Sequence, residues 1–249
     1  MGTDTFPVAA LEWLAPTRPG ELLAVGVASA PIARRLVPYG QEFWLIDDDA
    51  QVLVRQRVRT PEVKPLVTSV DALPFSACMF ETIVVSHVWH TVTTSRTLPE
   101  LARVLVPGGR LVVHYTVRDD SVPWVRRLAV ILHEIDPSAM VENHQLDSVK
   151  TLETSPYFRH VERRDFRLWV PCSRQKLLDD VSANDRVTHT DDVTRSRILQ
   201  EVGHLYDSSA RAPEPLLLPY TVACWRAEVD HSEFSIPLGL FDDGFRISL

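Results

Sequence analysis

Glu21-Leu-Leu-Ala-Val-Gly-Val-Ala-Ser-Ala-Pro-Ile-Ala-Arg-Arg-Leu36 is the stretch whose reading decides the fold. Its first half is a short apolar run that ends on Gly26, as a strand buried on both faces does. Its second half has helical spacing. Ser29 stands where an N-cap would, and Pro31 falls in the first turn, where a missing N–H does no harm. A strand, a tight turn of small residues and a helix follow one another within 16 residues.

The pattern repeats outward. Glu42–Asp47 reads as a second strand, with helical spacing from Asp48 to Arg57 and Asp48 or Asp49 near the helix start. Pro65–Ser69 and Thr82–Ser86 read as a third and fourth strand. Leu98–Leu105 reads as a helix stopped by Pro107-Gly108-Gly109, and Arg110–Val117 as a fifth strand. Strand and helix alternating at this spacing predict a doubly wound α/β fold with a parallel sheet covered on both faces. Beyond residue 120 the spacing predicts helices over 122–135, 174–181 and 192–206. Strands are expected over 158–170 and 216–229, and Pro219 in the last suggests an edge or a bulge.

Composition excludes several classes. The chain has 249 residues, nine glycines and 18 prolines, with 45% hydrophobic and 24% charged residues. Glycine is roughly half of average usage, yet the other fractions are those of a globular protein rather than a disordered one. Thr82–Ser95 is the longest stretch free of acidic and basic residues, too short to span a membrane. The N-terminus shows no basic region followed by an apolar run, so no signal peptide is expected. Three scattered cysteines, Cys78, Cys172 and Cys224, argue against a disulfide framework and for the cytoplasm. A net charge of −7 does not favour nucleic acid.

Ligands in such folds sit beyond the carboxyl ends of the strands, so the residues after each strand are the candidates. Gly26-Val27-Ala28 after the first lets backbone approach a ligand, though a well-packed turn needs the same residues. Asp47 and Asp48 after the second stand where an acid meets ribose hydroxyls; a solvated helix start also favours them. Asp71, Ala72 and Leu73 after the third offer an acceptor for a purine amino group beside apolar surface, or an ordinary Asp-led turn. Ser86 and His87 follow the fourth, with His90 three residues on. The two histidines have metal-ligand character, but no carboxylate or cysteine stands near enough to complete a set, and a pocket wall is the preferred reading.

Together these segments resemble the class I S-adenosylmethionine-dependent methyltransferases. Asp71-Ala-Leu-Pro-Phe and Leu101-Ala-Arg-Val-Leu-Val-Pro-Gly-Gly-Arg-Leu are similar to the branch containing ubiquinone and menaquinone biosynthesis methyltransferases. The resemblance covers about residues 6–229. It implies a seven-stranded Rossmann-like sheet, mostly parallel with an antiparallel last strand. It also implies one domain over 1–229, with substrate-side elements near 1–18 and 120–165, and an extension over 230–249. It assigns Gly26, Val27, Ala28, Asp47, Asp48, Asp71, Ala72, Leu73, Ser86 and His87 to S-adenosylmethionine and His90 to catalysis, with His114 and Tyr115 as further bases. The implied acceptor is a small molecule, and a homodimer is allowed. The family's first motif has an acid and two more glycines where this chain has Ala24, Ala28 and Ala30. The alternative reading is therefore an inactive homologue that acts as a binding or partner subunit.

Overall fold

A computed structural model describes residues 6–37, 41–135, 146–210 and 215–234. Its sheet has seven strands: β1 (Glu21–Val25), β2 (Phe43–Asp47), β3 (Val63–Val67), β4 (Phe80–Ser86), β5 (Leu105–Arg118), β6 (Phe158–Cys172) and β7 (Leu216–Val229). Their order is β3-β2-β1-β4-β5-β7-β6. β1 pairs in parallel with β2 and β4, and β2 with β3, while β7 runs antiparallel to β5 and β6. The parallel half is what the alternation predicts, and the seven-stranded Rossmann-like whole with its antiparallel β7 is what the resemblance implies.

The chain divides into two compact units. The first holds residues 16–112, 150–162 and 226–249. Its core is the parallel half of the sheet, and all seven residues of β4 are buried, which is why Thr82–Ser86 lacks charge. Helices α2 (Ala30–Leu36), α3 (Ala50–Arg59), α4 (Trp89–Val92) and α5 (Thr97–Val104) connect these strands. Asp49 caps α3 by accepting from the N–H groups of Gln51 and Val52. Glu81 is almost fully buried, and Arg18 satisfies both of its carboxylate oxygens at 3.1 and 3.0 Å while also reaching the Pro107 carbonyl. Removing such a partner would leave the buried carboxylate's hydrogen bonds unmade, which is costly.

The second unit holds residues 1–15, 113–149 and 163–225. Within it α1 (Val8–Leu14) precedes the sheet. Helices α6 (Pro123–His133), α8 (Arg174–Ser182) and α10 (Asp192–Ser209) bury Leu128, Leu132, Leu177, Val181, Ile198 and Val202 together. Two short helices, α7 (Lys150–Glu153) in the first unit and α9 (Asp185–Thr188) in this one, complete the set. Arg159, Arg163, Arg164 and Arg167 lie on the largely exposed β6. There Arg159 pairs with Glu228 and Arg163 with Asp165.

Four expectations need correction. Ser29 is not a side-chain cap: a short 3-10 turn, Val27–Ser29, precedes α2, and the Ser29 hydroxyl donates to the Val25 carbonyl instead. Pro107-Gly108-Gly109 does not separate helix from strand, because β5 begins at Leu105 and runs through the triplet, with Gly108 at φ +76°. β7 is not an edge, since it lies between β5 and β6. Pro219 sits near the strand's start, where its carbonyl still accepts from the Asp119 N–H at 3.0 Å. The third strand starts at Val63, two residues earlier than its apolar content suggested. Residues 136–145 of the expected substrate-side segment and most of the terminal extension lie outside the described residues.

Candidate active site

The strand order reverses direction at the β1–β4 boundary, the place where open α/β sheets bind ligands. A cleft of about 340 Å³ lies beyond the strand ends there. Val25 and Gly26 line it after β1, and Ile46, Asp47 and Asp48 after β2. Thr68, Ser69, Val70 and Asp71 follow from β3; Val88, Thr91, Val92 and Thr94 follow from β4. All belong to the first unit.

Gly26 is held at φ +74°, ψ 144°, a conformation that essentially only glycine adopts. Its N–H donates to the Ile46 carbonyl at 2.8 Å, which ties the first turn to β2. A Cβ at this position would stand 2.9 Å from a methyl of Val88. The glycine is therefore required by its backbone and by its neighbour.

Asp47 closes the turn from the other side. Its Oδ2 accepts from the Val27 N–H at 2.9 Å and its Oδ1 from the Asp49 N–H at 3.1 Å. Each carboxylate oxygen has a second lone pair, so the side chain is oriented without being saturated.

Asp71 is oriented by hydroxyls. Its Oδ1 accepts from Thr97 at 2.6 Å and from Thr94 at 2.8 Å, both at the start of α5. The turn that carries it is pinned from the same helix. Glu100 accepts the Leu73 N–H at 2.7 Å, and Arg103 donates to the carbonyls of Leu73 and Phe75 at 3.0 and 2.9 Å. Glu100 and Arg103 also bind each other through two hydrogen bonds, at 2.7 and 2.8 Å. The Asp71–Phe75 motif and the helix motif that ends before Pro107 are thus one structural element.

The Arg103 guanidinium holds the Glu100 carboxyl below the usual carboxylate range. A depressed native value contributes stability above the unfolded value, and that contribution is lost as pH falls through the native one. Arg103→Ala is expected to cost about 1–2 kcal/mol at neutral pH, discounted for partial exposure. Urea unfolding should show it as a lower midpoint. The mutant's acid-side decline below the usual carboxylate range should also be shallower than wild type's. Equal midpoints would remove Arg103 from this role.

Of the sequence candidates, the cleft gathers Gly26, Asp47, Asp48 and Asp71. Val27 contributes its N–H to Asp47 rather than a lining surface. Ala28 is half-buried; Ala24 and Ala30 are wholly buried. Ala72 is exposed, and Leu73 is buried under the Glu100–Arg103 pair. Ser86 is buried, and its N–H donates to the Ser29 hydroxyl at 2.8 Å. His87 is half-buried at φ +62°, rare for a side chain larger than asparagine's. Burial, and then His90 close by, pull its imidazole below the ordinary value. His90 is exposed, in α4. His114 and Tyr115, both buried, belong to the other unit, where Phe6 packs edge-on against His114 at 5.0 Å. Among the described residues no three His, Cys, Asp or Glu side chains group as a metal site would require.

Sequence reasoning missed Thr68, Ser69, Thr91 and Thr94. The signal was present: threonines at 91, 93, 94 and 97 cluster just after the fourth strand.

Residues 23–113 match the family described as Methyltransferase domain. An uncharacterized methyltransferase of Mycobacterium tuberculosis is 28% identical over 229 residues, covering 91% of this chain and 90% of the relative. Another, from Schizosaccharomyces pombe, is 25% identical over 134 residues, about half of each chain. A protein described as a type II methyltransferase from Anaeromyxobacter dehalogenans has the same fold, with a TM-score of 0.67 at 18% identity over 90% of this chain and 97% of that one. The domain match, the relatives and the fold agree with the strand-end motifs: over residues 23–113 the chain is similar to the methyltransferase domain, and its fold is that of such proteins.

Proposed function

We propose that this protein transfers a methyl group from S-adenosylmethionine to a small-molecule acceptor. The observation that carries the reading is the convergence of Gly26, Asp47 and Asp71 on one cleft at the strand-order switch. These residues fit an adenosyl group. Gly26 makes the turn that opens the cleft beside Asp47, which keeps lone pairs for a ribose diol, and Asp71 has its Oδ2 available for a purine amino group. When bound, S-adenosylmethionine supplies an electrophilic methyl on a sulfonium.

The chain's own task is then to hold donor and acceptor in line, which can supply most of the rate enhancement. His90, three residues past His87, is the candidate base that takes a proton from the acceptor. The reading includes a single methyltransferase domain over 1–229 with a C-terminal extension, in the cytoplasm, free or as a homodimer. No helix among the described residues is long and apolar enough to cross a membrane.

A second reading has a specific observation in its favour. The acid and two glycines of the family's first motif are Ala24, Ala28 and Ala30 here, and a Val88 methyl lies over Gly26. An inactive homologue with a binding or partner role would tolerate these changes. Titration calorimetry with S-adenosylmethionine and S-adenosylhomocysteine separates the two. Micromolar binding by wild type supports the enzyme. Absence of heat at millimolar ligand, with binding gained on Ala28→Gly and Ala30→Gly, supports the homologue.

A further inference from the structure

We infer that the cleft recognises the adenosyl half of its ligand and adds little for the amino-acid tail, so adenosine and 5′-methylthioadenosine are ligands in their own right. The inference rests on reading the cleft as an S-adenosylmethionine site.

The charged side chains of the cleft all stand at the β2 and β3 ends. The β2 and β3 ends supply Asp47, Asp48, Thr68, Ser69 and Asp71, the groups that suit a ribose diol and a purine edge. The β1 and β4 ends, where the methionine tail would run, supply Val25, Val88 and Val92 and two hydroxyls that already donate, Thr91 to the Val88 carbonyl and Thr94 to Asp71. Backbone groups at those two strand ends are already taken up by one side-chain hydroxyl. The Ser29 hydroxyl donates to the Val25 carbonyl and accepts the Ser86 N–H, and Ser29 is wholly buried. Ala24, at 0% exposure, places a methyl where a carboxylate would hold the tail's ammonium. Val88 covers the open face of Gly26.

Charge points the same way. The charged side chains among the described lining residues are Asp47, Asp48 and Asp71. A tail carboxylate would meet like charge and no cation. Desolvating a zwitterion against valines without compensating partners is unfavourable. A nucleoside with a small apolar 5′ substituent avoids that cost and keeps the contacts to Asp47 and Asp71. Phosphate on the 5′ carbon is disfavoured for the same reason, which sets nucleosides apart from nucleotides.

The test is calorimetry of the full chain with adenosine, 5′-methylthioadenosine, S-adenosylhomocysteine and adenosine 5′-monophosphate. Kd values for adenosine and 5′-methylthioadenosine within fivefold of that for S-adenosylhomocysteine, with the monophosphate at least tenfold weaker, are expected. S-adenosylhomocysteine more than fivefold tighter than 5′-methylthioadenosine would overturn the inference while leaving the cofactor site in place. Absence of heat with all four would overturn the cofactor site itself, and the inference with it. Asp71→Asn should weaken the three binding ligands by a common factor. A loss confined to S-adenosylhomocysteine would contradict the inference even if the affinities agree.

Discussion

Replacing Gly26 with alanine is expected to lower folding stability by about 2–6 kcal/mol, from two additive sources. The first is backbone strain. Gly26 has φ +74° with an extended ψ, a region where a Cβ costs about 1–3 kcal/mol. The second is overpacking, since the new methyl would stand 2.9 Å from Val88, and such insertions cost about 1–3 kcal/mol. Urea unfolding measures the sum. Val88→Ala in the Gly26→Ala background should recover the packing part and leave the strain. A Gly26→Ala protein within about 0.5 kcal/mol of wild type, the range of an ordinary surface change, would show that the turn is not constrained as described.

Asp47→Ala has the largest expected effect on binding. The side chain accepts from the Val27 and Asp49 N–H groups, and its loss strands the part-buried Val27 donor. That costs about 1–3 kcal/mol of stability. Binding loses a charged acceptor for the ribose as well, worth about 1.5–3 kcal/mol, or about 10–100-fold in Kd for S-adenosylhomocysteine. Asp47→Asn keeps an oxygen for one N–H but not the charge, so it should fall between wild type and alanine on both measurements. An Asp47→Ala protein with unchanged Kd would remove Asp47 from the cofactor site.

Much of the fold was legible because buried parallel strands announce themselves. Leu22–Val25 and Ile83–Val85 are apolar since helices cover both faces of the sheet. β7 was read to the residue, from Leu216 to Val229. Its position in the sheet was not, because Pro219 says what one residue lacks and nothing about which strand lies beside it. Helix α1 carries no cap signal: Pro7 stands at its N-cap position with no side chain to donate or accept.

The site was legible where one residue type admits few roles. Gly26 and the acids after β2 and β3 are candidates from their place at the strand ends and from the resemblance, and the cleft gathers them. Ser29 shows the limit. A serine before a helix suggests a cap, but here the Val25 carbonyl and the Ser86 N–H, 57 residues away, compete for the same hydroxyl. Local pattern cannot reveal a partner brought in by the sheet. The same holds for Asp71, whose orientation depends on Thr94 and Thr97, and for its turn, which Arg103 holds from α5.

The most direct measurement is a crystal structure grown with millimolar S-adenosylhomocysteine. Adenosine density is predicted between Gly26 and Asp71, with the ribose hydroxyls on Asp47. A cleft that stays empty at that concentration, or ligand bound elsewhere on the chain, would contradict the assignment.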